Sequence, residues 1–502
     1  MSLSFNLIDE PWIPCLRPDN TLIELGLREA ILRAHEVREI AAESPIATGA
    51  LYRLLLALLH RVYGPADEDA WLALWQAGRW QAASLDAYLQ RWRARFDLFD
   101  PQHPFLQRAD PRVRPRPVTV LLPEVASGHN PTLFDHTVEG DRVGLAPARA
   151  ARALLAALSF GLAGLSGLPA KFTDAPCARG ALFLAEGDSL FETLCLNLAR
   201  YPRPEDGPDD RPAWEVDDPS QPRRDRPLGR LDLYTWPNRN ILLIPESHGG
   251  SAVVREATMA PNLPLDPDVL DPLKCFRVDP RRGHLPLRFT EERALWRDVT
   301  VLLAATESSR PPLAAVWLRG LIGCGYLSRQ RRLRFVAMGM ANDQAKVNFI
   351  RAERLPLPLE YLAEKALVDA IEEALQLAEE VARQLWGAAQ TLARVLLSPE
   401  NGGTEGREPH REDMASLTGQ WAVERHYWSR LELPFRELLV ALPGDLTGSR
   451  LAWRETLRTT AREALEGVCR SFEQDLRRLK AVVRARDQLA AGLAKVLRTE
   501  GD

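Results

Sequence analysis

Lysine is nearly missing from this chain: among 502 residues only Lys171, Lys274, Lys346, Lys365, Lys480 and Lys495 carry an ammonium, so almost every cation is an arginine. Cysteine is scarce and scattered. Cys15, Cys177, Cys195, Cys275, Cys324 and Cys469 form no CxxC pair, which argues against a disulfide framework and a four-thiolate zinc site and leaves them as small apolar residues. No apolar run reaches the roughly 18 residues of a membrane span, and the mean hydropathy is -0.22. The start MSLSFNLIDEPWIP lacks the basic and apolar regions of a secretory leader, so a cytoplasmic protein is expected. Positive surplus is missing too, with a net charge of -4, whereas a free-standing nucleic-acid binder usually carries a basic excess. A chain of this balance touches nucleic acid locally, inside an assembly that supplies most of the positive field. Catalytic signatures are also wanting: there is no GxSxG, P-loop, EF-hand or HExxH pattern. Gly161, Gly164 and Gly167 read GxxGxxG after a helical pattern, unlike the GxGxxG that follows a strand in dinucleotide sites. His129, Asp135 and His136 lack ligand spacing and read as a polar loop. No enzyme, cofactor or metal centre is expected.

What is present divides in two. TGALYRLLLALLHRVYG reads as a buried helix, followed by a helical aromatic stripe of Trp71, Trp75 and Trp80 that belongs in a core. FNLIDEPWIPCL reads as a strand interrupted by Pro11 and Pro14, VTVLLPEV as a strand, and Ala146 to Phe160 as a helix. Residues Pro202 to Pro227 show no core-building pattern and read as a surface insertion. From about Leu359 the texture changes: Leu367, Ile371, Leu375, Ala378, Ala382, Leu385, Ala389, Leu392 and Leu396 recur at helical spacing. After SPENGGTEGREPHRED a second helix is expected from about Met414, ending or bending near Pro434 and continuing to Leu442. Leu457, Ala461, Leu465, Val468, Phe472, Leu476, Leu479 and Val483 then keep the same period, with a turn placed near Ser471 to Asp475. The expected fold is α+β: a large mixed N-terminal domain, 1–358, followed by an all-α antiparallel four-helix bundle, 359–502.

Two constellations suggest binding. In YLSRQRRLRFVAMGMANDQ, Arg329, Arg331, Arg332 and Arg334 place four charges in six positions, and Gly339, Asn342 and Gln344 are expected to follow in one compact turn. Arginine suits phosphate, and Asn and Gln suit base edges; a strand ending in a turn beside a solvated charge run accounts for the segment equally well. In the last helices Arg470, Arg477 and Arg484 recur every seven residues with Lys480 nearby, a face for a displaced DNA strand or a small helical partner, or simply a solvated exterior. The glycines after Phe160 allow close backbone approach to a ligand, and Lys171 would suit a phosphate.

The ordered series FNLIDEPWIP, HPFLQ (His103 to Gln107), SGHNPTLFDH, the glycine loop before AKF, GMANDQA and VERHYW (Val423 to Trp428) resembles the CasA-type large subunit of the type I-E CRISPR surveillance complex called Cascade, over essentially the whole chain. The resemblance implies a non-catalytic DNA-recognition role: sensing the protospacer-adjacent motif in double-stranded DNA, starting strand separation for guide RNA pairing, and helping to recruit a nuclease-helicase in trans. It implies backbone and small Cascade subunits as further partners. It places Asn130, Phe134 and His136 in a loop docking near the guide RNA. It puts Gly164, Leu165, Ser166 and Gly167 in a minor-groove glycine loop, and Gln344, with Asn342 and Asp343, in a wedge beside the motif. Arg281, Arg282 and Arg288 stand where the family has a lysine finger. Some members carry four cysteines in the N-terminal domain; GRLDLYTWPNRNILLIPES here has none, so zinc is not carried over. Two other readings of the chain are a metal-dependent nuclease and a purely architectural scaffold.

Overall fold

The computed structural model describes residues 3–123, 143–201, 209–291, 293–303, 306–343, 346–397, 408–472 and 476–498. The chain forms two compact units: Met1–Leu295 with Val301–Arg354, and Trp296–Thr300 with Leu355–Asp502. Among the described residues no helix is long and apolar enough to cross a membrane.

The first unit is organised around the helix Pro45–Tyr63. Ser44 caps it by accepting the Ala47 amide at 3.3 Å, and proline at the first helical position has no amide to leave unpaired. Nearly the whole helix is buried, including Arg53 and His60. Of the aromatic stripe, Trp71 and Trp80 are core residues, and the Trp71 indole donates to the Cys195 carbonyl at 2.8 Å.

Twelve strands lie among the described residues: β1 Ile13–Leu16, β2 Leu22–Leu25, β3 Glu39–Ile40, β4 Arg116–Pro117, β5 Leu182–Glu186, β6 Arg239–His248, β7 Ser251–Pro261, β8 Phe276–Asp279, β9 Gly283–Pro286, β10 Ser309–Arg310, β11 Arg332–Asp343 and β12 Lys346–Pro358. They make four three-stranded sheets, ordered β2-β1-β3, β4-β7-β6, β10-β8-β9 and β12-β11-β5.

Several expectations change. VTVLLPEV is not a strand: Val118–Leu121 is a 3-10 turn with Val118, Thr119 and Leu121 buried. A continuous apolar run carries no period that separates strand from any other buried conformation. The stretch after Pro202, read as lacking core residues, contributes Trp214, which is 3% exposed and packs 5.5 Å from the Phe96 ring. One indole builds core without any repeat to announce it. Gly339 lies inside β11 and not in a turn; a Cβ there would meet the Ala181 Cα and the Gly180 carbonyl at 3.3 Å, so glycine lets β11 pass that backbone closely. Five cysteines are buried, whereas Cys324 is exposed.

The second unit contains the antiparallel bundle: Lys365–Leu397, Val423–Ala441, Leu446–Cys469 and Leu476–Val496, with a short extra helix, Arg411–Trp421, before the second. Ala422, in the left-handed conformation at φ 47, separates that short helix from its successor. Pro434 sits inside an unbroken helix. Antiparallel neighbours are tied by Tyr427 donating to the Ala378 carbonyl at 3.0 Å and by Arg486 with Glu466 at 2.5 Å. The remote segment Trp296–Thr300 is part of this unit. Trp296 lies 4.7 Å from the Phe435 ring, and Arg297 stacks 3.6 Å from the Trp428 ring centre while pairing with Glu379 at 2.6 Å.

Candidate nucleic-acid interface

The longest strands of the first unit, β11 and β12, are adjacent in one sheet, and β5 borders β11 on its other side in the register Arg334↔Glu186 to Met338↔Leu182. Beyond Met338, β11 crosses the backbone at Gly180 and Ala181 and runs on to Asp343. Four strand steps past that crossing amount to about 13 Å of extension. Asn342 is half-buried and Asp343 exposed at its end. Gln344 itself lies outside the described residues.

The basic cluster, whose Arg332 opens β11, stands at the opposite end of the strand, about 36 Å from Asp343 at the ordinary rise per residue. Arg331 pairs with Glu192 at 2.8 Å and stacks over Trp75 at 5.0 Å; Arg334 pairs with Glu186 at 3.0 Å. These arginines have carboxylate and aromatic partners in the fold, and Gly339 to Asp343, expected within a compact turn, continue as strand.

The glycine loop is closed at its base. Gly164 and Phe172 exchange both backbone hydrogen bonds, at 3.1 and 2.9 Å. Inside the loop the Ser166 hydroxyl accepts the Leu168 amide at 3.0 Å and donates to the Ala170 carbonyl. Gly167 adopts φ +75, and no atom lies within 4 Å of where its Cβ would be. Leu165 and Lys171 are exposed.

Under this loop lies an arginine not singled out from the sequence. Arg239, at the start of β6, is buried and donates to the carbonyls of Leu162, at 2.7 Å, and Thr173, at 3.2 Å, with its guanidinium 5.3 Å from the Phe172 ring centre. No side chain fits at Gly161, because that guanidinium lies against it. Burial pushes the Arg239 pKa down to about 10, partly opposed by Asp174. Deeper still, Lys274 donates to the carbonyls of Pro176, at 2.5 Å, and Arg179, at 2.6 Å, and burial lowers its pKa. Arg53 donates to Asp271 at 2.6 Å and to the Leu233 carbonyl at 2.7 Å. The partners of these cations lie up to 218 residues away, so the local sequence holds no sign of them.

The third group joins through the same crossing. Ala181 donates to the Leu287 carbonyl at 2.8 Å, which sets Arg288 beside the segment leading from the glycine loop. Arg288 is exposed at its surface end, yet its pKa falls through partial burial and then through the like charge of Arg179, with Asp174 opposing. Arg281 and Arg282 are exposed in the β8–β9 turn, where both amides donate to Asp279, at 2.8 and 2.9 Å. Arg288 and the far half of β11 therefore meet at Gly180–Ala181, and Asp174, which accepts the Ala163 amide at the base of the glycine loop, pairs with the neighbouring Arg179.

Asn130, Phe134 and His136 lie outside the described residues. In the second unit Lys480 and Arg484 are exposed one helical turn apart on Leu476–Val496; the side chain of Arg477 lies outside the described residues. Arg470 sits in a separate 3-10 turn, Arg470–Phe472, so the seven-residue series does not lie on one helix. The new helix restarts the phase, which also leaves Val483 46% exposed and buries Ala481, Val482 and Ala485 in its place.

The family model for CRISPR-associated protein Cse1 matches residues 6–464. A CRISPR-associated protein CasA/Cse1 of Thermus thermophilus is 39% identical over 98% of both chains. The crystal structure of Thermus thermophilus CasA superposes with a TM-score of 0.83 at 34% identity, covering 98% of this chain and 100% of that one. A chain of a CRISPR RNA-guided surveillance complex shares the fold at 24% identity and a TM-score of 0.75, over 97% of this chain and 99% of that one.

Proposed function

The chain belongs to the CRISPR-associated protein Cse1 family, the CasA-type large subunits, and from that premise we propose that it recognises DNA for an RNA-guided surveillance complex. In this reading it inspects double-stranded DNA for a short flanking motif and starts strand separation so that guide RNA can pair. The observation that supports the reading is that an exposed arginine and the far half of a long strand meet at Gly180–Ala181, next to Arg179, whose partner Asp174 holds the base of the glycine loop. Glycines let backbone enter a narrow groove, and the exposed Lys171 and Arg288 would meet phosphates in this reading. Arg281 and Arg282 would extend the same basic surface.

Gln344, which follows Asp343, is the wedge in this proposal. Unstacking a base step costs a few kcal/mol, and a side-chain amide that both donates and accepts recovers part of that cost by bonding orphaned base edges. Guide pairing then proceeds as a near-balanced exchange, so a small bias at the start decides whether it begins. No cutting chemistry is assigned to the chain; a nuclease-helicase arriving in trans would supply it. Asn130, Phe134 and His136 would face guide RNA and a neighbouring backbone subunit, and Lys480 and Arg484 the displaced strand or a small subunit.

The test is target binding by the guide-RNA complex, with and without this chain, on DNA differing only in the flanking motif. Discrimination between motifs should vanish with the chain omitted. Gln344→Ala should slow strand separation on duplex targets and spare pre-opened ones; an equal defect on both overturns the wedge. Metal-dependent cleavage by the purified chain would point to a nuclease instead.

A further inference from the structure

Leu165 is 85% exposed, more than any other large apolar side chain among the described residues. The fold takes no packing from it. The backbone beneath it is nonetheless fixed: the paired hydrogen bonds of Gly164 and Phe172 close the loop, the Ser166 hydroxyl is turned inward to Leu168 and Ala170, and Arg239 holds the carbonyls of Leu162 and Thr173 from below. Gly164 precedes Leu165, and the next side chain after the inward Ser166 is missing at Gly167, where the space is open. The loop therefore displays one isobutyl knob between Gly164 and Gly167, with Pro169, Ala170 and Lys171 exposed further along it and Arg288 exposed as well.

Resting on the reading of this surface as a duplex-DNA contact, we infer that Leu165 is an apolar wedge that enters a base step from the minor groove. The minor groove is only about 6 Å wide, so bare backbone beside a single projecting side chain fits where a bulkier loop does not. Aliphatic side chains inserted between base pairs replace lost stacking by dispersion contact and kink the duplex, while flanking cations hold the phosphates. Leucine bonds no base edge. Its contribution is therefore the same for every motif sequence, in contrast to an amide that pairs with base edges.

The experiment uses the reconstituted guide complex and a matched duplex carrying 2-aminopurine at the step beside the flanking motif, with stopped-flow fluorescence reporting unstacking. Leu165→Ala should slow unstacking about tenfold, a loss of roughly one wedge contact, by the same factor on strong and weak motifs. A pre-opened target should be bound as by the wild type, and Leu165→Met should restore most of the rate. Because the side chain is exposed, neither variant disturbs folding. If Leu165→Ala unstacks at the wild-type rate while Lys171→Glu still weakens duplex binding, the loop lies on DNA without a wedge and the inference falls alone. If neither variant alters duplex binding, the loop is no DNA surface and the underlying reading falls with it. An equal loss on duplex and pre-opened targets overturns the inference by placing Leu165 against another component.

Discussion

Arg53, Arg239 and Lys274 are buried and meet oxygens of their own chain, whereas Lys171, Arg281, Arg282 and Arg288 are exposed. The same residue types do different work a short distance apart. Irregular backbone has carbonyls that no ladder satisfies, and a buried cation with several donors ties them together. Arg239 thus ties the two sides of the glycine loop's base together, and Lys274 holds the segment that follows it. The exposed set would, in the proposed reading, meet a partner that brings negative charge.

That contrast can be broken from below most forcefully with Arg53→Met. It leaves Asp271 as a buried carboxylate without its partner, and the first unit should lose about 3–5 kcal/mol in chemical denaturation. A loss below about 1 kcal/mol would show that the buried pair is not holding the floor. Arg239→Met should cost less, about 2–3 kcal/mol, since carbonyls and not a charge are abandoned. It should also raise amide exchange at Phe172, whose hydrogen bond to Gly164 closes the loop.

His60 sharpens the contrast through pH. Burial first, and then the Arg230 charge, lower its pKa to about 3 from 6.5, so the folded protein keeps the ring neutral. The unfolded chain takes up a proton at higher pH than the folded one. Stability is therefore full above 6.5 and lost as the pH falls toward 3, by about 1.4 kcal/mol per pH unit. His60→Gln should flatten that dependence, measured as the denaturation midpoint between about pH 6.5 and 4.5. The smallest effect on stability belongs to the exposed set: Lys171→Ala with Arg288→Ala should change it by less than about 0.5 kcal/mol. The slope of log affinity against log salt for duplex binding by the complex should fall by about 0.9 for each phosphate contact removed.

The helical bundle was readable because its signal is local: Leu367 to Leu392 repeats at helical spacing, and those residues face the interior. The helix Pro45–Tyr63 and the helix ending at Phe160 were readable for the same reason. What defeated the reading was distance along the chain. Nothing near Arg331 or Arg334 reveals that Glu192 and Glu186 will meet them, so the sequence left the cluster open between a structural and a binding role. Trp214 and Val118 lacked a period to follow, and the break after Phe472 reset a phase that the spacing of Arg470 and Arg484 had carried straight through. Of the proposed site, the glycine loop and the residues after Gly339 entered by resemblance. The crossing of β11 over Gly180–Ala181 did not, since no pattern in the chain encodes a crossing of backbones.

The membership of Trp296–Thr300 in the second unit has a practical consequence for dissecting the molecule. A fragment starting at Leu355 would be born with an indole-sized hole against Phe435 and with Glu379 stripped of its guanidinium. Excising the bundle therefore calls for a circular permutation or a graft that carries those five residues along, and a synthetic peptide of that sequence is the natural plug for a fragment made without them.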